Sequence, residues 1–229
     1  MTLKVLLDVM SQPSRAVSIF CRAAQIPHEF KAIRVAKMEH HGPEFQALNP
    51  LKTVPIINDD GFVVKDSSAI LRYLTTTRKD VPDHWYPRDP EGQARIDEYL
   101  HWQHLNTRAG CAMYFRTKWL MPMLKQSPAD EGKVEARLKT MEDALAKVQN
   151  IWLEDGKKKY LVGDAVSVAD IMLCCEMEQP LVAGYDVRQK WPKLGEYMDR
   201  VKKDLHPHYE DVHKVLYGMY EKFSIKAKL

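Results

Sequence analysis

The chain has little of what would announce metal, redox or membrane chemistry. Its four cysteines, Cys21, Cys111, Cys174 and Cys175, form no C-x-x-C pair and show no metal-ligand spacing, and vicinal cysteines seldom bridge each other. Reduced, buried thiols and no bound metal are therefore expected. A long apolar run is missing too. The start, Met1 to Asp8, holds a short apolar stretch interrupted by Lys4, which fits neither a signal peptide nor a spanning helix, so a cytoplasmic protein with no membrane partner is expected. Charge of one sign is scarce, 34 basic against 31 acidic side chains, and a surplus of +3 cannot by itself drive binding to nucleic acid. That surplus is N-terminal: residues 1–78 hold 10 basic and 7 acidic side chains, and 79–229 hold 24 of each. It would favour a small anionic ligand in the first part of the chain, although scattered solvated charge accounts for it equally well.

What is present divides into two unlike halves. With 229 residues, 45% of them hydrophobic, the chain can bury one large core or two small ones. Leu3 to Val9 reads as a strand, Ser11 to Arg15 as a turn, and Ala16 to Ala24 as a helix. Phe30 to Val35 reads as a second strand and His40 to Pro43 as a loop. Val54 to Ile57 and Phe62 to Val64 form a hairpin about Asp59-Asp60-Gly61, and Ser67 to Thr75 a helix. This β-α-β then β-β-α order fits a thioredoxin-like α/β domain. Residues 79–90, with Pro82 and Pro87 in the stretch from Lys79 to Pro87 and no period, read as a linker. Downstream, helical spacing runs over Glu91 to Leu120, Asp130 to Leu153, Val168 to Gln179, Pro192 to Lys203 and Pro207 to Lys222, an all-α domain over 91–229. Ser167-Val168-Ala169-Asp170 reads as a capping box with Asp in place of Glu, and Lys157 to Lys159 as a solvated loop.

Two places carry candidate chemistry. From Asn49 to Ile70, Val54-Pro55 closes a polar loop, where a cis proline would bare the preceding amide and carbonyl, and Asp66-Ser67 opens a helix. A small peptide-like ligand fits both, and so does a plain hairpin followed by a capped helix. The other place is Ser11, at the strand-to-helix turn. No Ser/His/Asp arrangement is legible, which argues against a serine hydrolase. As a donor to a bound thiolate, Ser11 would lower that thiol's pKa from about 8.5 towards neutrality. It also fits a simple N-cap with Pro13 in the first helical turn.

Several segments occur together in one order: Ser11 to Val17, Asn49 to Pro55, Asp66 to Ile70, Trp85-Tyr86-Pro87 and Ala94 to His104. In this they resemble the theta-class glutathione S-transferases, most strongly over residues 1–110. Tyrosine-type transferases carry Tyr in the first strand, where this chain has Leu6 and Leu7, and omega-type relatives carry Cys where it has Ser11. The resemblance implies a glutathione transferase fold and a cytoplasmic homodimer with glutathione as co-substrate and no other cofactor. Its thiolate would attack an alkyl or aryl halide, an epoxide or a peroxide. Peroxidase or dehalogenase activity at the same site, or a non-catalytic binding module, are the alternative readings.

By the same resemblance Ser11 is the catalytic hydroxyl, and Arg108 is directed at the sulfur or the electrophile, although it would also serve as an ordinary surface arginine. Glutathione would be held by Gln12, by His40 and His41 at the glycyl carboxylate, by Thr53, Val54 and Pro55 at the cysteinyl part, and by Asp66 and Ser67 at the γ-glutamyl end. Met10, Tyr114, Phe115 and Trp119 are candidates for an apolar electrophile pocket, and equally for core. Dimer contacts are expected from the hairpin-helix segment and the Glu91 to Leu120 helix. The tail from Tyr220 to Leu229 is short beside vertebrate theta enzymes, which implies a more open site.

Overall fold

The computed structural model describes residues 2–226. Strand β1 (Leu3–Leu7) alternates little because both its faces are covered, and four of its five residues are buried. Helix α1 (Gln12–Ala23) buries ten residues from Gln12 to Cys21, and β2 (His28–Ala32) pairs parallel to β1 with Leu7 opposite Ala32. After a short helix α2 (Pro43–Leu48), β3 (Ile56–Asp59) and β4 (Phe62–Lys65) form the hairpin that leads into α3 (Ser67–Thr77). The sheet order is β2-β1-β3-β4, with β3 antiparallel to both neighbours. Gly61 sits at φ 95, where a side chain would be strained, which explains the turn after Asp60. This is the expected thioredoxin-like order.

The rest is helical: α4 (Pro90–Leu105), α5 (Thr107–Phe115), α6 (Met121–Lys125), α7 (Glu131–Lys147), α8 (Val168–Glu178), α9 (Val187–Lys190), α10 (Pro192–Asp204) and α11 (His208–Lys226). The single helix expected over Glu91 to Leu120 is broken. Asn106 leaves helical geometry at φ −118 and ψ −94, and its Nδ2 donates to the Trp102 carbonyl at 2.8 Å, closing α4. Expected strand Phe30 to Val35 begins and ends earlier, because β2 is an exposed edge without an alternating face to mark it. The reading of residues 40–43 as loop stops short of α2, whose first residue is Pro43. The tail expectation falls partly on residues 227–229, outside the described residues.

Residues 79–90 are no loose spacer. Val81, Trp85 and Tyr86 are buried, Trp85 meets Phe20 edge-on at 5.4 Å, and His84 shares a hydrogen bond of 2.6 Å with the Val166 carbonyl. One continuous apolar core consequently runs from β1 and α1 through Trp85 and Tyr99 to Ile171 and Met198. At the start of α8, Asp170 is fully buried and accepts from the amides of Ser167 and Leu161 and the hydroxyls of Ser167 and Tyr197, at 2.6–2.8 Å. Burial pushes its carboxyl above the usual range, against the pull of those donors.

All four cysteines are free and buried. Burial raises their thiols, Cys21 and Cys175 to about 12 and Cys111 and Cys174 well above their ordinary value. Among the described residues no helix is long and apolar enough to cross a membrane, and no group of three or more His, Cys, Asp or Glu side chains is placed to hold a metal.

Candidate active site

Strand register brings the candidate segments to one end of the sheet. Leu6 lies opposite Ile56 and Ile56 opposite Lys65, so the exit of β1, the entry of β3 and the exit of β4 share an edge. Leu7 lies opposite Ala32 in parallel pairing, so the exit of β2 joins them. From these exits leave the Asp8 to Ser11 turn, the Val54-Pro55 loop, the Asp66-Ser67 helix start and the segment leading to His40 and His41. Three strand spacings separate β2 from β4, about 14 Å, and an extended tripeptide spans about 10 Å before its end groups are counted. A ligand of that size can touch all four.

Ser11 stands at the N-cap position of α1 with φ −85 and ψ 127, yet its side chain makes no capping hydrogen bond. The simple N-cap alternative is thus not what the structure shows. Its hydroxyl has no hydrogen-bond partner among the described residues, and the first turn of α1 carries no acidic side chain, so the helix dipole there favours an anion. Gln12 is buried and its Nε2 lacks a partner. Met10, half-buried, gives its amide to Asp8 Oδ1 at 2.9 Å.

The Val54–Pro55 peptide is cis, and neither the amide nor the carbonyl of Val54 takes part in a hydrogen bond among the described residues. Asn49, fully buried, shapes this loop: its Nδ2 donates to the Thr53 carbonyl at 2.8 Å and hydroxyl at 3.2 Å, and its Oδ1 accepts from the Leu51 amide at 3.1 Å. Thr53 is exposed but its hydroxyl is already partnered there.

Asp66 occupies φ 74, a conformation that favours glycine, and caps α3 by accepting from the amides of Ser68 (2.9 Å) and Ala69 (3.1 Å) through Oδ1. Oδ2 is left over for a cation. Ser67 is buried, with its amide in the first turn of α3 not taken up by that cap. His40 and His41 meet edge-on at 4.3 Å. His40 is the more buried, its Nδ1 has no partner, and partial burial with His41 beside it lowers its pKa despite Asp8. At neutral pH its imidazole is therefore neutral, and the positive surplus of this half, counted on Lys and Arg, does not come from it.

Arg108 donates from Nη1 to the fully buried Glu176 Oε1 at 2.7 Å and is one-third exposed. The guanidinium is thus shared between a carboxylate and whatever lies before it. Of the pocket candidates, Tyr114 packs in the main core against Tyr185 at 5.8 Å. Phe115 stacks on Trp119 at 5.3 Å, and Phe223 of α11 meets Trp119 at 5.0 Å. Tyr114 and Phe115 are core, as their spacing also allowed, while Trp119 is only partly covered.

Sequence reasoning missed two side chains that shape the Ser11 turn. Asp8 Oδ2 also accepts from the Val35 amide at 2.9 Å, and Arg15 is wholly buried in α1. A signal for Arg15 existed: it lies beside Ala16 and four residues before Ile19, on the helix face that carries the apolar residues, and a charge there needs buried acceptors.

Comparison with known proteins gives the family. Residues 11–77 match the family model for the glutathione S-transferase N-terminal domain, and residues 114–205 that for the C-terminal domain. The chain is 36% identical to human glutathione S-transferase theta-1, over 94% of this chain and 89% of that protein. With Arabidopsis thaliana glutathione S-transferase T1 it shares 36% identity over its whole length and 95% of the relative. The structure of a human theta-class glutathione transferase in complex with the glutathione conjugate of 1-menaphthyl sulfate superposes with a TM-score of 0.90, at 33% identity and over 99% and 92% of the two chains.

Proposed function

The chain belongs to the theta-class glutathione S-transferases, and from that premise we propose that the four loops at the sheet end hold glutathione across them, with its sulfur at Ser11. It is a glutathione transferase of detoxification. The observation that carries the site assignment is the Ser11 hydroxyl, at the mouth of a helix dipole and with no partner of its own. A hydrogen bond from it to the thiolate, together with that dipole, stabilises the charged form. The Val54 amide and carbonyl pair with the cysteinyl backbone, while Thr53 and Pro55 shape that loop and Gln12 lies at the start of α1. Asp66 Oδ2 takes the γ-glutamyl amine and the Ser67 amide its carboxylate. His40, with His41 behind it, takes the glycyl carboxylate. Arg108, held by Glu176, supports the thiolate from the helical side. Met10 and Trp119 border the electrophile, an alkyl or aryl halide, epoxide or peroxide. Conjugation of glutathione with such compounds by the purified protein tests this; no turnover with any of these classes counts against it.

Residues 1–78 make the glutathione-binding half, 79–90 the strap and 91–229 the electrophile half. No further cofactor is required, because thiol activation and positioning supply the rate. Replacing Asp66 by Ala should weaken glutathione binding by ~1–3 kcal/mol through the lost charge-assisted bond. Calorimetry giving equal affinities would reject that role. Because His40 is neutral near pH 7, a bound carboxylate raises its pKa, so affinity is flat above the raised bound-state value, grows as pH falls below it, and levels off once pH drops below the lowered value of the free protein. S-methylglutathione, which has no titrating thiol, should show this rise between about pH 8 and about pH 5, and His40→Asn should abolish it. A rise that survives in His40→Asn assigns it elsewhere.

We place the protein in the cytoplasm, in keeping with four unpaired cysteines, and recovery from a membrane or secreted fraction would contradict this. We also propose a homodimer. Leu51, Phe62 and Leu105 are exposed by 70%, 58% and 85%, on the loop, the hairpin and the end of α4, which is apolar surface a soluble chain normally covers. Leu105→Glu should shift the mass seen by light scattering from dimer to monomer. A monomeric wild type would refute the dimer.

A further inference from the structure

The turn before Ser11 is held from two sides by charged groups that contact nothing else of the site. Arg15 Nη1 donates to the carbonyls of Val9 (3.1 Å) and Met10 (3.2 Å). Its Nη2 donates to the Cys175 carbonyl (3.0 Å) and Gln179 Oε1 (2.7 Å), at the C-terminal end of α8. This side chain is fully buried, and among the described residues no carboxylate lies within salt-bridge distance of it. Burying a guanidinium without a counter-ion costs several kcal/mol, and an apolar residue would pack there more cheaply if filling space were the only need. From the other side Asp8 accepts the Met10 amide through Oδ1 and the Val35 amide through Oδ2, each at 2.9 Å.

Together these bonds pin two successive peptide planes, the first being Val9–Met10, whose carbonyl is bound by Arg15 and whose N–H is bound by Asp8 Oδ1. The carbonyl of the Met10–Ser11 peptide is bound by Arg15, and its N–H, that of Ser11, donates to the Asp8 carbonyl at 2.9 Å. On the far side the Ser11 carbonyl accepts the Arg15 amide at 3.0 Å. The Ser11 Cα is fixed on both flanks, and only the hydroxyl rotor is free. We infer that Arg15 and Asp8 are positioning residues, which set the orientation of the two peptides leading into Ser11, the Asp8 side chain through Val9–Met10 and Arg15 through both Val9–Met10 and Met10–Ser11, from which the serine hydroxyl reaches the thiol. This rests on the Ser11 reading above. Arg15 sets it relative to α8 and the helical half, and Asp8 relative to the segment that leads to His40.

The test is a set of cycles in the full-length protein. Bound glutathione is titrated by ultraviolet thiolate absorbance, and kcat and KM are measured, for wild type, Ser11→Ala, Asp8→Asn, Arg15→Lys and the two doubles with Ser11→Ala. Arg15→Lys keeps a cation but has one nitrogen for four acceptors. Each of Asp8→Asn and Arg15→Lys should raise the bound thiol's pKa by about one unit and lower kcat at neutral pH about three- to fivefold, with KM for glutathione within about twofold. Neither should raise it further once Ser11 is alanine. Wild-type thiol titration and kcat in both single variants, whatever their melting temperatures, overturn the proposal, as do equal rises with and without Ser11. Asp8→Asn, isosteric and partly exposed, decides alone should Arg15→Lys not fold. If Ser11→Ala itself titrates like wild type, the Ser11 reading fails and this one with it. A raised value there beside unchanged single variants overturns only the positioning role.

Discussion

Ser11→Ala is expected to lower kcat/KM at about pH 6.5 by about fiftyfold while leaving the fold intact. Without a donor, the bound thiol returns towards about 8.5 from a value near neutrality, and the thiolate fraction at that pH drops from about half to about one per cent. Since the hydroxyl makes no hydrogen bond among the described residues, its removal strands no partner there, and the melting temperature should hardly move. The deficit should also close as pH rises, because both enzymes then bind thiolate. A loss that persists undiminished at about pH 9 would mean that Ser11 acts on something other than ionisation. Arg108→Ala should cost less, about fivefold, since Glu176 already takes one edge of that guanidinium. Equal losses in the two variants would reverse that ranking.

Asp170→Ala should produce the largest loss of stability. Four donors, two backbone amides and two hydroxyls, converge on this carboxylate in a fully buried position, and its removal strands all of them at once. Such a loss costs about 3–5 kcal/mol, or a melting temperature lower by about 10 °C for a chain of this size. Turnover per folded molecule should stay near wild type, because none of the four groups borders the Ser11 turn. Calorimetric melting within about 2 °C of wild type would show that water replaces the carboxylate easily.

What could be read in advance was what short-range chemistry encodes. The Asp60-Gly61 turn, the Ser167–Asp170 pairing and the change from strand-helix alternation to helices alone all follow from neighbours a few residues apart. The Ser11, Val54 and Asp66 positions were legible for the same reason, each marked by a local Ser, Pro or Asp signature. The rest depends on distant partners. Arg15 finds two of its four acceptors 160 and 164 positions away, and Arg108 its carboxylate 68 away, so nothing beside them announces these long-range pairings. Asn106 was hidden differently: Leu-Asn-Thr is tolerable in a helix, and the break comes from the amide turning back onto Trp102. The exposed edge strand β2 had no buried face to set its limits.

The placement of the cysteines has a consequence for how long such a protein survives its own trade. Compounds that glutathione captures are alkylating agents, and they react with any accessible thiolate. This chain keeps all four thiols buried and shifted to high pKa, so its own sulfurs are withheld from the chemicals it handles. The sulfur consumed is the one that leaves with the product, and self-inactivation is avoided by where the nucleophiles lie.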